Sequence, residues 1–186
     1  MRTKIITSGI LGGIAMSIWM FVVNAVLGFE HSMQMKSITN EREVYDLLKA
    51  SIVEPGRYAC NPEGTPQKGF PDGEPVFSIL YGGVGHEAAG AMMLVDLLIF
   101  FVATVIAAWM LSLLSTRFRD SYRNRVLFFA AIGLLFAVAI DVANYGIGGY
   151  PLDDTVILAL HRIAMWVFVG LVVAWRMKPD PDVIES

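Results

Sequence analysis

A single cysteine, Cys60, leaves the chain without a partner for an internal disulfide. Disulfide-exchanging membrane enzymes, which work through paired thiols, are thereby excluded. Charge is scarce as well: Asp, Glu, Lys and Arg make up 17% of the 186 residues, against about 25% in a soluble domain. There is no Walker loop, no dinucleotide-binding glycine turn and no Gly-x-Ser-x-Gly elbow. Gly82-Gly83-Val84-Gly85 is glycine-rich, but it precedes an apolar run and reads as an entry turn rather than a phosphate cradle. No internal repeat is visible, and the length leaves no room for a large transporter or a multidomain enzyme. No nucleic-acid partner is expected.

What is abundant is apolar surface: 55% of residues are hydrophobic. Four runs, 5–28, 88–114, 126–148 and 155–175, match the length of about 20 residues that a bilayer requires. Their length without alternation predicts helices, which satisfy their own backbone in lipid. The first run is long for a signal peptide and lacks a small-x-small cleavage site, so 1–28 reads as a retained first span. Bases cluster beside three sites: Arg2 and Lys4; Arg117, Arg119, Arg123 and Arg125 with Asp120; and Arg176 and Lys178. All three fall on one side of a four-span chain, which the positive-inside rule makes cytoplasmic. The expected location is the inner membrane, with both termini inside, the lipid bilayer around the spans and 29–87 extracytoplasmic. The arginine-rich loop 115–125 serves topology, or meets anionic lipid head groups. The tail 179–186 is short, acidic and cytoplasmic.

The outer segment 29–87 carries nine acids and five bases. Asn40-x-x-Glu43 has the form of a capping box, and Val44, Leu47, Leu48 and Ile52 give an amphipathic helix over 41–52. Short strands are expected at 57–60 and 76–81, with an irregular loop rich in Pro and Gly between them. The fold class is therefore an all-α membrane protein, a four-helix transmembrane bundle with a small α+β extracytoplasmic cap. His31 after the first span, Glu41-x-Glu43-Val44, Pro55-Gly56-Arg57-Tyr58 and Pro62, followed by three more spans, form a pattern. It resembles a family of uncharacterised small bacterial four-span membrane proteins. The resemblance implies a four-span topology and a bacterial origin, and no activity.

Ionisable residues inside a membrane are the best functional clue in such a chain. The spans contain three charges, Asp96, Asp141 and Arg162. With His161 at their depth and Asn24 and Asn144 slightly higher, they form a predicted polar layer in the outer half of the bundle. Small residues at helical spacing lie beside them: Gly133 and Ala137 in the third span, and Ser8-x-x-x-Gly12 and Gly9-x-x-x-Gly13 in the first. These faces predict that the polar groups point to a shared centre. One reading is mutual satisfaction, with Asp96 or Asp141 paired to Arg162. The other is a proton or ion site, since two carboxylates against one cation leave one acid free.

The histidines offer a third possibility. His86 and Glu87, with Asp96 and His161, are nitrogen and oxygen ligands for a transition metal. His31-x-Met33-x-Met35 suits Cu(I), and two histidines at matched depth could ligate a haem. None has a specific spacing signature, so no metal or cofactor is favoured. The leading expectation is a non-catalytic accessory subunit that stabilises or assembles a larger membrane complex, with other subunits or with copies of itself. The alternatives are an outer-face metal or haem redox protein and a small proton or ion carrier.

Overall fold

The computed structural model describes residues 2–29, 37–60, 75, 77–83, 85–146 and 150–178, with the side chains of 85–92 outside that description. The chain forms two compact units, one of Met1–Lys36 with Leu94–Ser186, the other of Ser37–Met93. It is mostly helical. Four helices are long and apolar enough to cross a membrane, and there is one small sheet.

In chain order the elements are α1 (Arg2–Val26), α2 (Glu41–Ser51), β1 (Gly56–Cys60), β2 (Phe77–Tyr81), α3 (Gly85–Ser112), α4 (Thr116–Asp120), α5 (Tyr122–Gly146) and α6 (Leu152–Arg176). The candidate spans are α1, Met93–Ser112 of α3, α5 and α6. Two of them contain π-helical turns: Phe21–Val26 ends α1, and Ala137–Val142 interrupts α5. Such turns hold an extra residue and frequently mark functional sites.

Glycine sets how closely the spans approach. A Cβ at Gly9 would lie 2.5 Å from the Val105 Cα, and one at Gly13 would lie 2.4 Å from the Phe101 ring. Gly12 faces Val173 and Thr104 with the same lack of room. The Thr104 hydroxyl donates to the Gly9 carbonyl at 2.7 Å, tying α3 to α1. Gly133 and Gly170 do the same between α5 and α6, against Trp166 and Phe129. The first-span glycine faces expected from sequence therefore carry the packing. Successive contact pairs run in opposite directions, so α1 and α3, α1 and α6, and α5 and α6 are antiparallel.

The core is a cluster of Met16, Ala108, Leu111, Phe129, Trp166, Val169 and Val173 with their neighbours. It sits toward the end where α1 begins and α6 ends. The Lys4 ammonium meets the Lys178 carbonyl there. Ser115 and Ser121 cap α4 and α5 by accepting from the Phe118 and Asn124 amides. The expected arginine loop 115–125 is thus shorter than predicted, and Arg123 and Arg125 belong to α5. Trp109, Tyr122 and Trp175 are exposed near this end, and Tyr145 and Tyr150 near the other. From Tyr122 to Tyr145 α5 rises roughly 35 Å. That separation suits interfacial aromatic belts flanking a hydrocarbon layer of about 30 Å.

The second unit is small and open. β1 and β2 pair antiparallel, with Tyr58 opposite Ile79 and Cys60 opposite Phe77. Gly83 has φ +88, a conformation that L side chains rarely adopt. α2 carries an exposed Arg42–Asp46 pair at 3.1 Å. The Asn40 side chain makes no cap bond, so the expected capping box does not form. None of this unit's described side chains is buried, as expected of a helix and a hairpin too small for their own core.

Candidate functional site

The polar layer is built where α1, α5 and α6 meet. Asp141 lies in the π-helical turn of α5 and is buried. Arg162, on α6, reaches it with two hydrogen bonds. Nε donates to Oδ2 at 2.7 Å and Nη2 to Oδ1 at 2.9 Å. This is the fork-to-fork geometry that makes Arg–carboxylate pairs strong. Both carboxylate oxygens are engaged and the cation is neutralised inside the bundle.

His161 precedes Arg162 and turns toward α1. Its ring stacks on Phe29 with centroids 4.8 Å apart, and lies 6.0 Å from the Trp19 ring. Trp19 also touches Phe168 at 5.6 Å. Sequence reasoning singled out His161 but missed both aromatic neighbours; aromatics are common in every span, so nothing marked these two. Asn24 sits between Trp19 and Phe29 in the chain, within the other π-helical turn. Its Oδ1 and the Trp19 Nε1 are buried without a hydrogen-bond partner.

The structure does not bring all six predicted residues together. Asp141 and Arg162 pair across α5 and α6, and His161, next to Arg162, meets Trp19 of α1 and Phe29 beyond it. Asp96 and Asn144 are exposed. The expectation of one shared centre is corrected accordingly: the Asp141–Arg162 pair lies between α5 and α6, while Asp96 lies on an exposed stretch of α3. All seven residues from Met93 to Ile99 are exposed, Asp96 among them, with no hydrogen bond or ion pair to Asp96 among the described residues.

His31 lies outside the described residues, as do the side chains of His86 and Glu87. Among the described residues no group of three or more His, Cys, Asp or Glu side chains could hold a metal. Comparison with protein-family models, with curated proteins and with solved structures finds no match.

At the other end of the bundle Arg125 is fully buried, a second feature that sequence reasoning missed. Its Nε donates to the Ala174 carbonyl at 2.9 Å, and its Nη1 contacts the Arg119 carbonyl. It therefore satisfies a carbonyl of the last turn of α6, where a cation is also favoured by the helix dipole. Its place at the start of an apolar run was the available signal.

Proposed function

We propose that the chain is a non-catalytic accessory subunit of a bacterial inner membrane, which stabilises or assembles a larger membrane complex or a homo-oligomer. Asp96 carries this reading. It lies thirteen residues from Trp109 on α3, about 20 Å along the helix, which is inside a hydrocarbon layer of about 30 Å. Its neighbours Leu94, Val95, Leu97, Leu98 and Ile99 are all exposed. A carboxylate bared to lipid costs roughly 2.5–3.5 kcal/mol on insertion scales. A partner helix with a cation or hydrogen-bond donor at that depth removes the cost and covers the apolar turns around it.

Other features agree with this reading. The bidentate engagement of Asp141 by Arg162 makes that pair a structural one, which leaves Asp96 as the carboxylate a partner would meet. Bases from three chain segments gather at one end, which supports cytoplasmic termini and an extracytoplasmic 29–87. The bacterial assignment rests on the sequence pattern around Pro55-Gly56-Arg57-Tyr58.

The test is extraction in mild detergent, native electrophoresis and mass spectrometry of what co-purifies. The wild-type chain should migrate above its monomer with a stoichiometric partner, itself or another membrane protein. Asp96→Leu should release that partner, and Asp96→Asn should retain part of it. A wild-type monomer with no stoichiometric companion overturns the proposal.

A further inference from the structure

We propose that the basic end of the helical unit is a binding surface for anionic phospholipid head groups, with Arg117, Arg119 and Arg123 as its phosphate contacts. Three observations converge. The fold gathers bases from separate chain segments: the Lys4–Lys178 and Arg125–Ala174 contacts hold the start of α1, the α4–α5 corner and the end of α6 at one end of the bundle. Arg117, Arg123, Arg176 and Lys178 are exposed there, and Asp120 is the one acid among the described residues of this end.

Arg119 supplies the second observation. Its Nε is buried without an acceptor, while its carbonyl is held by Arg125. A half-buried guanidinium with an unpaired donor, set among exposed cations, fits an anion at its outer nitrogens, and Arg is the side chain best suited to phosphate oxygens.

The third observation chooses the source of that phosphate. Trp109, Tyr122 and Trp175 are exposed just below the bases, and the Tyr122 hydroxyl is anchored to the Leu171 carbonyl at 3.0 Å. Exposed Trp and Tyr at span ends sit at head-group level. The arginines above them are then at the height of lipid phosphates rather than out in solution, where an acidic protein would dock. Each base near an anionic surface adds to lipid attraction, and salt screens it.

The experiment uses the full chain in mixed micelles, titrated separately with phosphatidylglycerol, phosphatidylcholine, inorganic phosphate and polyglutamate. Lipid retention is read by native mass spectrometry. Phosphatidylglycerol should be retained about tenfold more than phosphatidylcholine, with the preference falling as salt rises. Arg117→Gln/Arg119→Gln/Arg123→Gln should abolish the preference. The single variant Arg117→Gln, at an exposed position, should lower it without loss of helix content. Arg42→Gln/Lys49→Gln, which removes two bases of the other unit, should leave it intact. Equal retention of the two lipids overturns the proposal, as does a preference that survives the triple variant. So does binding of inorganic phosphate or polyglutamate without lipid selectivity.

Discussion

Arg162 holds Asp141 through both carboxylate oxygens, at 2.7 and 2.9 Å, across the α5–α6 interface. The Asp141 side chain is almost wholly buried and the Arg162 side chain is 29% exposed, so the pair is shielded on the Asp141 side. Removing one member strands the other. Such losses cost about 3–5 kcal/mol for a fully buried pair, and the partial exposure of Arg162 favours the lower figure. Asp141→Leu and Arg162→Leu should each destabilise the protein by about 3 kcal/mol in mixed-micelle unfolding. The double variant should cost less than the sum, because neither charge is then left alone. Single variants indistinguishable from wild type would show that the pair contributes nothing to stability.

The α1–α3 contact makes a sharper steric prediction. Gly9→Ala drives a methyl toward the Val105 backbone, which cannot rotate away, and pushes apart the Thr104–Gly9 hydrogen bond. Overpacking of this kind costs about 1–3 kcal/mol. Gly146→Ala, at the end of α5, meets nothing within 4 Å, and should be neutral or stabilising by up to about 1 kcal/mol. The comparison controls for glycine replacement in a helix. Equal melting temperatures for the two variants would remove close packing at Gly9 from the account.

Arg125 should prove to be a structural residue rather than a topological charge. Arg125→Leu leaves the Ala174 and Arg119 carbonyls without their donor in a buried place. An unsatisfied buried group costs about 1–3 kcal/mol. Amide exchange should then quicken in the last turn of α6 before it does elsewhere. Arg125→Lys offers one point of donation instead of a fork, so it should restore only part of the protection. Unchanged exchange in Arg125→Leu would show that the contacts do not hold that turn.

How much of this was legible in the sequence depends on what each element answers to. The four spans are readable because lipid demands long apolar runs whatever their packing. The hairpin is nearly so: β1 and β2 each differ by one residue from the expected 57–60 and 76–81. Asp96 and Asp141 are another matter. Each is a lone acid among aliphatics, and nothing local separates them. What does is the packing of α5 on α6 at Gly133 and Gly170, which sets Asp141 against Arg162, while the stretch of α3 around Asp96 is exposed. Arg125 reads as a loop base until the Ser121 cap starts the helix four residues earlier and turns that position against α6. The Asn40 capping box has the right residues and no cap bond, since a motif of two side chains does not compel its own geometry.

Cys60 allows the proposed orientation to be tested without introducing a probe. It is exposed at the end of β1 and is the chain's one thiol. If 29–87 is extracytoplasmic, a membrane-impermeant maleimide should label Cys60 in cells whose outer barrier is opened but whose inner membrane is intact. Thr116, exposed at the start of α4, lies at the basic end of the bundle. In a Cys60→Ala background, Thr116→Cys should be labelled only after the inner membrane is breached. The two thiols must answer in opposite senses, because an odd number of spans separates them. Labelling of Thr116→Cys first, with Cys60 protected, would invert the chain in the membrane. The arginine surface would then face the leaflet opposite to the one the positive-inside rule assigns, and anionic lipid in that leaflet would be the relevant partner.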